Sequence, residues 1–147
     1  MLLRELFKSA SLSFLSHATE DEERLLDTVA KFFQIDKDLF KGKKLEGYFG
    51  NPIIKFDAQI KGELANKIAL KIIKGLSEFD KLYLSKHIKE FVDEHGDLYL
   101  RISKQEIFEG KVKLEQSDPI RIKLKFMKGS RFKKEAVKAY LDLINEI

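Results

Sequence analysis

Seven residues near the C-terminus constrain the fold more than any others. Ile120, Ile122, Leu124 and Phe126 alternate with Arg121, Lys123 and Lys125. A period of two sends the two sets to opposite faces of a β-strand, so this segment predicts a sheet with one buried and one charged face. Leu98–Ile102 and Lys111–Leu114 repeat the pattern more briefly, with Tyr99, Arg101, Lys111 and Lys113 outward. A loop and a helix start follow, Lys128-Gly129-Ser130-Arg131-Phe132-Lys133-Lys134, with Ser130 as the N-cap of a last helix from Phe132 to near Ile147.

Upstream, Leu12 and Phe14 alternate with Ser13 and Leu15, which predicts a first strand over Ser11–His17. Leu2–Phe7 reads equally well as a short helix or as more of that strand. Thr19 and Glu22 form a capping box for a helix over Glu20–Gln34, and residues 35–44 read as a polar connection. Leu45–Phe49 and Ile53–Lys61 flank Gly50-Asn51-Pro52 as a hairpin, with Lys55, Asp57, Gln59 and Lys61 outward. Helical spacing then marks Glu63–Leu76 and Glu78–His95, the latter with Leu82, Tyr83, Ile88, Phe91 and Val92 as its apolar side and Gly96 as its stop. The resulting order is β-α-β-β-α-α-β-β-β-α. Strands and helices do not alternate regularly, so the expectation is one α+β domain over residues 1–147. It has a largely antiparallel sheet with helices on one face.

Composition narrows the chemistry. The absence of cysteine excludes disulfides, thiolate metal sites and a cysteine nucleophile. No apolar run approaches the roughly 20 residues of a membrane helix, and the first residues lack the charge order of a secretory signal. The expectation is therefore a cytoplasmic protein with no membrane partner. Charge is unevenly placed: Asp97–Lys134 holds 11 basic and 5 acidic residues, against 17 and 19 elsewhere. Such asymmetry suits an anionic partner, nucleic acid first. The free N–H groups and positive dipole end at the Ser130 helix start would hold a phosphate, and Lys128, Arg131, Lys133 and Lys134 add charge there. Tyr99 is the aromatic suited to stacking a base.

Other constellations read as structural. His17 and the acidic run Glu20-Asp21-Glu22 coincide with a helix cap rather than a metal or acid–base site. Asp36-Lys37-Asp38 begins like a calcium loop, but Phe40 stands where a third oxygen ligand belongs. Phosphate-loop, dinucleotide, nucleophile-elbow and zinc-protease motifs do not occur. No catalytic or metal-binding residues and no cofactor are assigned.

Several short stretches together resemble an archaeal family of RNA-binding-domain proteins described as predicted exosome-associated subunits. They are His17-Ala18-Thr19-Glu20-Asp21-Glu22, Gly50-Asn51-Pro52-Ile53, Leu100-Arg101-Ile102-Ser103-Lys104-Gln105, Gly110 and Asp118-Pro119-Ile120-Arg121-Ile122. The family pattern has an Asp before the Lys-Gln pair, where this chain has Ser103. The resemblance implies a small α+β fold, RNA binding without cofactor or catalysis, and subunits of an RNA-processing complex as partners. The C-terminal α-β-β-β-α order also resembles a double-stranded RNA-binding domain. By that likeness Lys128, Arg131, Lys133 and Lys134 would meet phosphates across a groove, reading duplex shape.

The expectation is a non-catalytic RNA-binding protein that prefers structured or duplex RNA and is able to form a homodimer. Its contacts would be Arg101, Lys104, Lys111, Lys113, Arg121, Lys123, Lys125, Lys128, Ser130, Arg131, Lys133 and Lys134, with Tyr99 stacking. The alternatives are a protein-interaction or dimerisation module with an acidic partner, and a metal-dependent nuclease.

Overall fold

The computed structural model describes residues 6–47, 50–127 and 133–147. Five strands form one sheet in the order β2-β3-β1-β5-β4, antiparallel at every junction. They are β1 (Phe7–His17), β2 (Lys41–Glu46), β3 (Pro52–Lys61), β4 (Leu98–Ile102) and β5 (Ile120–Phe126). The α-helices are α1 (Glu22–Phe33), α2 (Gly62–Gly75), α3 (Glu78–Lys86), α4 (Lys104–Phe108) and α5 (Lys133–Glu146). The α+β class and the antiparallel sheet follow the sequence pattern.

The alternation does what its period requires. Every apolar residue of β5 is buried and Arg121, Lys123 and Lys125 are exposed. Strand β1 lies at the centre, paired with β3 on one side and β5 on the other. Leu12 and Phe14 point into the core, so the segment before Ser11 continues the strand back to Phe7. A register shift between Phe7 and Ser9 rephases it, which allows both Phe7 and Ala10 to be buried. Asn66 of α2 completes the ladder where the pairing slips. Its side chain accepts from Phe7 N (3.0 Å) and donates to Phe7 O (2.8 Å) and Gly62 O (3.0 Å). A buried amide is tolerated there because its hydrogen bonds are made.

The described helices pack on this apolar face. Helix α2 crosses β1 and β3, and α1 packs on β1. On α5, Tyr140 stacks on Phe7 (5.5 Å between centroids) and meets Phe126 edge-on (5.7 Å). Its hydroxyl donates to the Gly96 carbonyl, and burial pushes the phenol far above its ordinary pKa.

Five local expectations are corrected. Helix α1 is capped by Asp21, which accepts from Arg24 N (3.1 Å), not by Thr19; Glu20 instead turns back to accept from His17 N (2.8 Å). Strand β2 begins at Lys41, inside the segment that reads as a polar connection. It is an edge strand, and lysines guard edges against further pairing. Helix α3 ends at Lys86 and a 3-10 turn follows, so Leu82 and Tyr83 face solvent while Leu84, Ile88 and Val92 are buried.

The chain between β4 and β5 departs from expectation twice. A short helix, α4, is capped there by Ser103, which accepts from Glu106 N (3.1 Å). Serine and aspartate serve equally as N-caps, so the departure from the family pattern keeps the cap. Lys111–Leu114 is not a strand: only Leu114 bridges to Ile102. Gly110, at φ 72°, turns the chain out of α4, and Val112 closes against the end of α2 at Gly75, where an added Cβ would lie 2.8 Å from its methyl. The C-terminal order is thus α-β-α-β-α, which departs from the double-stranded RNA-binding domain.

Candidate nucleic-acid interface

No described helix covers the second face of the sheet. The register sets its residues in rows. Lys41, Asp57, Ser13, Arg121 and Arg101 are successive cross-strand neighbours. The next row is Gln59, Ser11, Lys123 and Tyr99, and the one after it Lys61, Ser9 and Lys125. In the other direction Lys43, Lys55 and Leu15 form a further row. The central strand therefore contributes small hydroxyl residues, and the strands beside it contribute long cations. Eight lysines and arginines and one aspartate stand on these rows.

Arg101 and Arg121 are directly opposite one another. Like charges in that position repel. Arg101 Nη1 donates to Gln116 Oε1 (3.1 Å), but neither arginine makes an ion pair among the described residues. Lys123 is held in place: its Nζ lies 5.6 Å from the Tyr99 ring centroid and 3.9 Å from Asp97 Oδ2. The Tyr99 hydroxyl beside it, with the Asp97 and Asp93 carboxylates, keeps its ammonium above the usual lysine pKa, so it stays charged. Asp97 is buried and its other oxygen accepts from Phe126 N (2.9 Å). Lys111, Lys113 and Lys125 are exposed, and Lys133 and Lys134 open α5. Lys128, Ser130 and Arg131, and with them the expected helix cap, lie outside the described residues.

Lys104 does not join this surface. It is buried, and its ammonium donates to Leu15 O (2.7 Å), Glu20 Oε1 (3.1 Å) and Asp118 Oδ2 (2.8 Å). An ammonium has three protons, and all three are used, so none is left for a phosphate. His17 Nε2 lies 3.1 Å from Asp118 Oδ1. His17, Glu20 and Asp118 are spaced as three metal ligands could be, but the Lys104 ammonium already holds an oxygen of each carboxylate. Burial alone would raise the Asp118 carboxyl; the hydrogen bonds from Lys104 and His17 outweigh it and hold the carboxyl below its ordinary range.

These four residues come from three of the short motifs in the chain, around His17, Lys104 and Asp118. That co-occurrence is the one sequence signal that could have grouped them. Lys41, Lys43, Lys55 and Lys61 also stand on the open face, outside the set expected from the sequence. Outward alternation in β3 marks Lys55 and Lys61, but the neighbour of β3 is set by the sheet order.

Fold and surface together define a small α+β protein with one covered and one open, cation-lined sheet face. A sequence profile for a family described as RNA binding matches residues 9–126. The chain belongs to this RNA-binding family. It is 42% identical over 127 residues to an RNA-binding protein of Pyrococcus abyssi, covering 82% of each chain. It is 32% identical over 126 residues to an uncharacterised protein of Methanocaldococcus jannaschii, covering 78% of this chain and 80% of that one. The fold matches that of a DUF54 protein from Methanothermobacter thermautotrophicus with a TM-score of 0.77 at 21% identity, covering 95% and 98% of the two chains.

Proposed function

We propose that this chain binds RNA without cleaving it and holds the phosphate backbone on the open face of the sheet. The observation that carries this reading is the facing pair Arg101 and Arg121, two guanidiniums opposed across β4 and β5 without a carboxylate partner among the described residues. A phosphate between them would relieve their repulsion, and guanidiniums suit its geometry. Lys123 and Lys125 extend the track along β5, and Lys55 and Lys61 line its far side across the serines of β1. Lys111 and Lys113 flank β4, and Lys128, Ser130, Arg131, Lys133 and Lys134 would add contacts at the last helix start. Such a surface reads backbone and shape, so structured RNA is the proposed ligand. An accessory role in RNA processing or degradation, beside the subunits of such a complex, is the setting the family resemblance implies.

Gel-shift titration of duplex, hairpin and single-stranded RNA at several salt concentrations tests this. Binding that weakens linearly in log–log salt is expected. No binding to any of the three at low salt would refute it. Labelled RNA incubated with Mg²⁺ or Mn²⁺ should remain intact.

A further inference from the structure

We propose that the groove along the outer edge of β4 seats an unpaired nucleobase of the RNA whose backbone lies on the open face; this rests on the RNA-binding reading above. The groove encloses about 700 Å³ between β4, α3 and the segments around Phe91 and Glu115. Tyr99 and Arg101 belong to it and to the open face at once, so a strand tracking past Arg121 and Lys123 reaches its mouth.

Its walls are aromatic. Phe79 is 74% exposed, Tyr83 43% and Tyr99 41%. Two of the rings are set in advance. The Tyr99 hydroxyl donates to Asp93 Oδ2 (2.9 Å), and Tyr83 is braced by His87 (4.4 Å between centroids) and Phe91 (6.3 Å). Pre-set aromatic faces stack bases at low entropic cost.

The floor offers a donor and an acceptor. Tyr99 N–H donates to Phe91 O (2.8 Å), and Arg101 C=O accepts from Glu115 N (2.9 Å). In an antiparallel strand the N–H and C=O of one residue point the same way. Tyr99 C=O and Arg101 N–H therefore also face outward, and neither has a protein partner among the described residues. The edge of a nucleobase carries both complements.

Charge orients the nucleotide. Asp80, Glu90, Asp93 and Glu115 line the groove. They repel phosphate, so the base enters while the phosphate stays with Arg101 and Arg121. A cationic peptide suits the groove less well. Asp80 already accepts from Leu114 N, Asp93 from His95 N, Asp97 N and Tyr99, and Glu115 from Ser117 N. Phe91 O and Glu115 N also occupy the positions an added strand would need.

The test uses the full chain and two RNA hairpins, one blunt and one with a three-nucleotide tail carrying 2-aminopurine. The tailed RNA should bind about 5- to 100-fold more tightly with quenched fluorescence, as stacking of one base allows. Phe79→Ala with Tyr83→Ala should abolish the quenching and the tail advantage and leave blunt binding as it was. Phe79→Ala alone, at the most exposed ring, should weaken both and guards against loss of fold. Equal affinity for the two hairpins without quenching would overturn the groove and leave the phosphate reading standing. Binding of neither would overturn both. Perturbation of the Arg101 amide by an arginine- and leucine-rich peptide, and not by the tail, would overturn the proposal in favour of a protein partner.

Discussion

Lys104 Nζ lies 2.8 Å from Asp118 Oδ2, and the same ammonium holds Glu20 and the Leu15 carbonyl. The end of β1, the turn into α1, the start of α4 and the turn before β5 are thereby tied at one point. The ammonium is buried, while the two carboxylates are partly exposed. Lys104→Met should destabilise the protein by about 1–3 kcal/mol, below the full cost of orphaning a buried charge because water reaches both acids. Urea unfolding checks the value. RNA affinity of the folded variant should match the wild type; a loss of affinity at unchanged stability would make Lys104 a direct contact after all.

Acid should weaken the same tie. The folded Asp118 carboxyl is held below its ordinary value, so its contribution is present above an unfolded pKa of about 4 and is lost as pH falls through the folded value. The urea midpoint of Asp118→Asn should lie below the wild type at pH 7 and converge on it in acid. Asn is the apt substitute because position 118 has φ 47°, which asparagine tolerates. A gap independent of pH would remove the carboxylate from the account.

On the open face, Arg121→Gln, Lys123→Gln and Lys125→Gln should each weaken every RNA tested by a similar factor. Each should also reduce the slope of log affinity against log salt by about 0.7–0.9. Stability should stay within about 0.5 kcal/mol for Arg121 and Lys125, which are exposed and make no ion pair among the described residues. Fluorescence anisotropy at four salt concentrations resolves the slope. Unchanged slopes in all three variants would place the phosphates elsewhere.

Asn66→Leu preserves volume and removes the hydrogen bonds to Phe7 N, Phe7 O and Gly62 O. Leaving the buried amide and carbonyl of Phe7 without partners should cost about 2–4 kcal/mol. Denaturation shows the loss, and hydrogen exchange at Phe7 should rise with it.

Where the physics is local, the chain alone predicts its structure. The alternation of Ile120–Phe126 determines which side chains of β5 are buried, because the pleat has a period of two whatever the neighbours are. The same holds for Leu12 and Phe14 in β1 and for the hairpin around Asn51. Lys111–Leu114 carries the same signal and is not a strand. Four residues are too few to outweigh the turn at Gly110 and the packing of Val112 on Gly75. Tyr83 likewise fits a helical period that the chain abandons after Lys86.

What only the tertiary structure decided is which strands are neighbours and which cations are free. Arg101 faces Arg121, and Lys55 and Lys61 lie across β1 from the cations of β5, because the sheet order is β2-β3-β1-β5-β4. Lys104 has the same composition as any surface lysine, yet its ammonium is consumed by groups 84 and 89 residues earlier in the chain. Periodicity determines the face on which a side chain emerges. The partner it meets depends on long-range pairing, whose cost and reward are set by the whole sheet rather than by any segment of it.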